Sequence, residues 1–153
     1  MPALVLIDGD VVRDLYGNDL GFDVESRLIQ IQRIQRLTKF LTDQEIPVVV
    51  AALYSNFEIL EFNRQTFKSY FEVYVHASMD ILENRNTKGI YDKARNGVQN
   101  NVVGIDIPWT PPQKPDLIAH TDRTSVEEIV TEIIESYPEL RNALSNYSDG
   151  LQE

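Results

Sequence analysis

Short apolar runs alternate along the chain with longer segments in which apolar residues recur every three or four positions. The continuous runs at residues 3–7 (ALVLI) and 48–53 (VVVAAL) predict strands buried on both faces, as in a parallel sheet. Two further strands are predicted at residues 71–75 and 117–119. The spacing of apolar residues between positions 24 and 43 predicts a long helix.

Capping signals mark where helices begin. Asp23 is the predicted N-cap of the long helix, and Thr124 with Glu127 predicts a capping box for a helix near the end of the chain. Residues 98–116 contain four of the seven prolines and are predicted to be irregular. Helical spacing also occurs at residues 57–67, 79–84 and 138–144.

Strands that alternate with helices predict a single α/β domain with a parallel sheet, spanning residues 1–153 with a frayed tail from residue 146. Hydrophobic residues make up 42% and charged residues 25%, as in globular proteins. The chain has no apolar run of membrane-spanning length, no signal-peptide pattern and no cysteine, so we expect a cytoplasmic protein without disulfides. The net charge of −10 argues against nucleic-acid or membrane partners.

Candidate catalytic residues follow the predicted strands, where parallel sheets bind ligands. Asp8 and Asp10 come directly after the first strand, and Tyr54 follows the second. Two carboxylates in this position suit a hydrated Mg²⁺ ion, or a proton taken from a substrate hydroxyl. A plain Asp-Gly turn is the alternative.

Arginines are the candidate anion binders, because a guanidinium binds phosphate or sulfate through paired N–H groups. Arg27 and Gln30 lie three residues apart on one helical face, and Arg13 precedes them. We interpret Arg33 and Arg36 as part of a solvated face.

A short basic stretch between residues 85 and 95 is polar and bounded by glycine. It is either a mobile lid that closes over an anionic substrate or an ordinary surface loop. Its basic residues are Arg85, Lys88, Lys93 and Arg95. His76 and His120 end predicted strands, and we interpret both as structural because neither has a metal ligand nearby in the sequence.

Six motifs occur in an order that resembles the adenylylsulfate kinase family. They are LIDGDVVR (6–13), DLGFDVESR (19–27), YFEVYV (70–75), RNTKGIYDKARNG (85–97), GIDIP (104–108) and PDLI (115–118). The resemblance covers about residues 4–134. It implies a P-loop-kinase-like three-layer α/β sandwich with a parallel sheet, and a small nucleotide as substrate.

The resemblance also implies roles for individual residues. Asp8 resembles the carboxylate that works near Mg²⁺, and Asp10 resembles a general base near the acceptor hydroxyl. Arg13 and Arg27 resemble the arginines that bind the phosphosulfate group, and Phe22 resembles the aromatic residue that stacks on adenine. Lys88 and Arg85 resemble lid residues. The implied reaction transfers the γ-phosphoryl group of ATP, with Mg²⁺, to the ribose 3′-hydroxyl of adenylylsulfate.

Several substrate positions depart from the family. Gln30 stands where the family has Asn, and Leu53-Tyr54-Ser55 stands where it has Ile-Ser-Pro. Val102 stands where the family has a lid Phe, and His76 stands where it has an Asp. Loss of a stacking aromatic weakens the case for adenine. The segments NVVGIDIPW and NRQTFKSYFEVYV look closer to a subgroup that includes cytidine diphosphoramidate kinases of capsule synthesis.

The family's Walker A motif, G-x-x-x-x-G-K-[ST], precedes LIDGD and does not occur in these 153 residues. We therefore expect these residues to lack the first strand, the P-loop and the first helix, and to lack the main cradle for ATP phosphates. Under this expectation, Met1 is an internal methionine of a longer reading frame. The alternatives are a nucleotide-binding pseudokinase and a subunit completed by a partner, and an open sheet edge is compatible with a homodimer.

Overall fold

The computed structural model describes residues 4–86 and 89–142, which form two compact units. The N-terminal unit comprises residues 4–68 and 89–111, and the C-terminal unit comprises residues 69–86 and 112–142. The single domain expected for the chain stays a prediction. Lys88 and the tail from residue 146 lie outside the described residues.

Ten helices and strands lie within the described ranges. In chain order they are β1 (Val5–Asp8), α1 (Gly9–Leu15), α2 (Val24–Thr42), β2 (Val48–Ala51), α3 (Phe57–Thr66), β3 (Val73–His76), α4 (Met79–Asn84), α5 (Ile90–Arg95), β4 (Leu117–His120) and α6 (Val126–Ser136). Residues 138–142 are also helical, as predicted. None of the helices in the described part of the chain is long and apolar enough to cross a membrane.

The N-terminal unit is built on β1 and β2, which pair in parallel with Val5 opposite Val48. The core forms where α1 and α2 pack on this pair, and its buried members are Ile7, Val12, Ile31 and Ile34. The spacing of the two isoleucines in α2 is the apolar stripe that predicted this helix. As expected, Asp23 caps α2 by accepting a hydrogen bond from the Ser26 amide at 2.9 Å.

The C-terminal unit is built on a second parallel pair, in which β3 runs beside β4 from Val73 opposite Leu117 to His76 opposite His120. Helix α6 packs on β4. The capping box of α6 was predicted one residue too early. Ser125 accepts from the Glu128 amide, and the Glu128 carboxylate accepts from the Ser125 amide.

Two helices were not predicted. Helix α1 begins directly after β1 because Asp8 turns its carboxylate onto the first amides of the helix, which is N-cap geometry rather than a simple Asp-Gly turn. Helix α5 lies within the basic stretch. The expected burial of β1 and β2 on both faces was also wrong, since the register partners Leu6 and Val49 are exposed to 66% and 48%.

Candidate active site

Asp8 and Asp10 lie at the carboxyl end of β1, as the sequence predicted. The Oδ1 atom of Asp8 accepts hydrogen bonds from the Asp10 amide at 2.8 Å and the Val11 amide at 3.4 Å. One oxygen of Asp8 is therefore committed to starting α1. Asp10 is exposed in the first turn of that helix, so its carboxylate is open to a ligand.

Arg13 is a buried cation on α1, with 9% of its surface exposed. Its Nη1 donates to the carbonyl oxygens of Leu20 at 3.2 Å and Gly21 at 3.1 Å. Its guanidinium carbon lies 4.6 Å from the centroid of the Phe22 ring, within the range of a cation–π contact. Arg13 thus holds the loop that carries the aromatic residue predicted to stack on a base.

Arg27 is equally buried and joins three parts of the chain. Its Nε donates to the Phe22 carbonyl at 2.7 Å, and its Nη2 donates to the Asn101 carbonyl at 2.9 Å. Its guanidinium carbon lies 5.8 Å from the Phe22 ring centroid and 6.0 Å from that of Tyr54. The structure therefore brings together Arg13, Phe22, Arg27 and Tyr54, all predicted as site residues.

The two guanidinium groups are close enough to repel each other. Burial lowers the pKa of Arg27, and the charge of Arg13 lowers it further, while Tyr54, Asp23 and Asp106 act in the opposite direction. Within residues 4–86 and 89–142, neither arginine forms an ion pair with a carboxylate. Buried cations normally have an anionic partner, so this cluster has the electrostatic character of an anion-binding site.

Asp106 shapes the turn that supplies the Asn101 carbonyl. Its carboxylate accepts from the Asn101 and Val102 amides, both at 2.6 Å, and the hydrogen bond from Asn101 is the largest cause that lowers the pKa of Asp106. Asn101 has the left-handed backbone (φ 66°) that this turn requires. Val102 is the next residue in this turn, and it is buried. Its neighbour Asn101 makes the contact with Arg27.

Gln30 extends the cluster along α2 and is 4% exposed. Its Nε2 donates to the Gly9 carbonyl at 3.0 Å, which ties α2 to the start of α1. Its Oε1 is buried and has no hydrogen-bond partner among the described residues. Leu53, beside Tyr54, is 69% exposed and is open to a ligand.

The predicted lid is described only in part. Lys93 and Arg95 are exposed on α5 in the N-terminal unit. Arg85 follows α4 in the C-terminal unit, where it donates to the Thr121 hydroxyl at 3.2 Å and to the Thr121 carbonyl at 2.6 Å. Lys88 lies outside the described residues, so the role of these residues as a lid stays a prediction.

Arg33 has partners on its surface that the sequence did not predict. It forms two 2.7 Å hydrogen bonds with the Asp19 carboxylate and lies 4.2 Å from the centroid of the Tyr16 ring. These contacts fix the loop before α2. Asn101 was also missed, and its sequence gives no signal, whereas Asp106 lies inside the GIDIP motif.

Comparisons with known sequences and structures identify the family to which this chain belongs. The sequence model of the family described as adenylylsulphate kinase matches residues 2–120. Adenylyl-sulfate kinase of Halothermothrix orenii is 38% identical over 129 residues, covering 84% of this chain and 70% of that protein. Cytidine diphosphoramidate kinase of Campylobacter jejuni is 35% identical over 131 residues, covering 86% and 76%.

Among solved structures, the APS kinase of Mycobacterium tuberculosis in complex with AMPPNP and APS superposes with a TM-score of 0.75 at 30% identity, covering 89% of this chain and 80% of that one. The fold is therefore the α/β fold of P-loop kinases, as predicted. The chain belongs to the adenylylsulphate kinase family. It is accordingly similar to nucleotide-binding phosphotransferases.

Proposed function

We propose that this chain acts on a nucleoside that carries a phosphosulfate-type anhydride, and that the reaction is transfer of the ATP γ-phosphoryl group to a ribose hydroxyl. The observation that supports this most is the pair of buried arginines, Arg13 and Arg27, which have no carboxylate partner in the described residues. A dianionic anhydride would neutralise both charges. The named relatives support adenylylsulfate as the first substrate to test.

Each side chain of the cluster has a part in this proposal. Arg13 and Arg27 bind the anhydride through the N–H groups that the surrounding carbonyls leave free. Phe22 keeps 56% of its surface exposed while both guanidiniums lie over its ring, so it is available to stack on a base. Gln30 ties α2 to the start of α1, and Tyr54, three residues after β2, lies beside the Arg27 guanidinium.

Asp10 is the proposed general base, because it is exposed at the carboxyl end of β1 and a carboxylate can accept a hydroxyl proton. The second oxygen of Asp8 and the Asp10 carboxylate fit the preference of Mg²⁺ for one or two carboxylates plus water. When bound, Mg²⁺ would neutralise phosphate charge. In any form of the chain that turns over, Asp10→Asn should lower kcat by ~10²-fold or more; near-normal turnover would remove Asp10 from this role.

A nucleotide-binding pseudokinase, or a subunit completed by a partner, is the alternative from another class. It is supported by the absence of G-x-x-x-x-G-K-[ST] from these 153 residues. The exposed register partners Leu6 and Val49 also offer apolar surface on β1 and β2. In this alternative, the chain binds the anion but does not catalyse phosphoryl transfer by itself.

A cytidine diphosphoramidate type of substrate is the second candidate within the family. The observation that favours it is Val102, where the family carries a stacking Phe, together with the 35% identity to the Campylobacter jejuni kinase. A site with one stacking aromatic residue fewer suits a pyrimidine base, which is smaller than adenine.

Calorimetric titration of the 153-residue protein separates these proposals. Adenylylsulfate, Mg-ATP and cytidine diphosphate are titrated in parallel. Binding of adenylylsulfate without Mg-ATP would support a working acceptor site in a pseudokinase or partner-dependent chain, and binding of both would support a kinase. Preference for the cytidine nucleotide would favour the second candidate. No binding of any of them would overturn the proposed function.

A further inference from the structure

The C-terminal unit contains a group of potential metal ligands that sequence spacing concealed. His76 and His120 are the last residues of β3 and β4 and are register partners, with ring centroids 5.1 Å apart. Asp122 follows two residues after β4. One ligand atom from each of the three lies within 4.8 Å of the other two. Sequence spacing did not reveal this group, because strand pairing brings together residues that are distant in sequence.

Three polar atoms of this group have no hydrogen-bond partner in the part of the chain that the structure describes. The Nδ1 atoms of both histidines and the Oδ1 atom of Asp122 are buried, and none has a hydrogen bond among the described residues. That oxygen forms a long ion pair with the Nε of Arg123, at 3.8 Å. A buried polar group without a hydrogen bond destabilises the folded protein. Three in one place point to a shared ligand that is electron-deficient.

We propose that His76, His120 and Asp122 bind a divalent transition-metal ion, for which Zn²⁺ is the best match. Two imidazole nitrogens and one carboxylate oxygen are ligands that zinc accepts, whereas Mg²⁺ and Ca²⁺ take oxygen ligands. At the outer limit of 4.8 Å between each pair, the point equidistant from all three atoms is ~2.8 Å from each, so movements of less than about 1 Å bring the ligands to the zinc–nitrogen distance of about 2.0–2.1 Å. Three protein ligands leave a fourth position for water.

The backbone around the three ligands is held by its own hydrogen bonds. Thr121 donates to the His76 carbonyl from its amide at 2.9 Å and from its hydroxyl at 3.2 Å, and the Thr124 amide donates to the His120 carbonyl at 3.0 Å. Arg85 fixes the Thr121 carbonyl. These contacts preorganise the ligands, so a metal ion requires only small side-chain movements.

The site does not depend on the proposed kinase function. The predicted consequence is that metal binding fastens the carboxyl end of β3 to the loop after β4.

Zinc binding is tested with the untagged, chelator-treated full chain, since a histidine tag would itself bind metal. Calorimetry with ZnCl₂ should show one saturable site, and Co²⁺ should give a visible absorption spectrum typical of nitrogen and oxygen ligands. The chain has two histidines and no cysteine, so any histidine–metal signal arises here. His76→Asn, His120→Asn and Asp122→Asn should each weaken binding at least ~10-fold. Asp80→Asn, an exposed carboxylate change in the same unit, is the matched control.

The proposal is overturned if Zn²⁺ shows no saturable binding, or if the two histidine variants bind as tightly as the parent. Should a variant fail to fold, the parent protein still decides the question. In ¹⁵N-histidine NMR spectra, stepwise Zn²⁺ should shift the ring nitrogens of both histidines in parallel with one-to-one stoichiometry. Unchanged spectra at excess Zn²⁺ would refute the site, and excess Mg²⁺ should leave them unchanged.

Discussion

The two parallel strand pairs end in opposite chemistry. Beyond β1 and β2, the buried Arg13 and Arg27 have no carboxylate partner in the described residues and suit an anion. Beyond β3 and β4, His76 and His120 present buried nitrogens that lack hydrogen bonds and suit a cation. The same local topology therefore fixes where a ligand binds, while the side chains that follow the strands decide which sign of charge is accepted.

The units also differ in how much apolar surface they bury. The N-terminal unit has a cluster of Ile7, Val12, Ile31 and Ile34, with further apolar side chains packed against it. Among the described residues of the C-terminal unit, the buried apolar residues are Ala119 and Ile129. We expect the N-terminal unit to contribute most of the hydrophobic stabilisation.

The largest predicted effect tests this difference in the cores. Ile34→Ala removes a side chain enclosed on all sides and should lower the free energy of unfolding by about 2–5 kcal/mol. Ile129→Ala, the same change on α6, should cost less because fewer buried neighbours surround it. Urea unfolding followed by circular dichroism measures both. Equal losses would show that the cores contribute alike.

The next effect sharpens the comparison of the two ligand sites. Arg27→Ala should weaken adenylylsulfate binding by ~10²-fold, about 2.7 kcal/mol, because it removes a charge-assisted contact and frees the Asn101 carbonyl. Arg36→Ala, an exposed change on the same helix, is the control. Arg27→Lys should restore only part of the affinity, since lysine lacks the forked geometry. Calorimetry that finds the Arg27 and Arg36 variants alike would exclude Arg27 from the site.

The smallest effect concerns the start of α6. Ser125→Ala removes the side chain that caps the helix and should destabilise the protein by about 1 kcal/mol. Thr124→Ala, at the cap position that the sequence predicted, should change stability little. Thermal unfolding of the two variants distinguishes them, and the reverse ranking would restore the capping box at Thr124 and Glu127.

Local sequence patterns predicted most of the helices and strands, whereas contacts between residues distant in sequence were not predicted. The apolar stripe and the Asp23 cap predicted α2, and sequence motifs singled out Arg13 and Arg27. The salt bridge of Arg33 with Asp19 depends on how the intervening loop folds back, which periodicity does not encode. His76 and His120 meet only through strand register, and Asp8 was ambiguous because Asp-Gly suits both a turn and a helix start.

The contact of Arg27 with Asn101 joins positions 74 residues apart, and this separation has a consequence for the order of folding. Residues 4–51 can form β1, α1, α2 and β2 from contacts that are close in sequence, but the proposed anion site stays incomplete until the turn held by Asp106 has docked. Closing so long a loop is entropically costly, so this step should come late. During synthesis, the nascent chain therefore becomes able to bind its ligand only after residue 106 has left the ribosome. An anion that then binds Arg13 and Arg27 would stabilise the last contact to form.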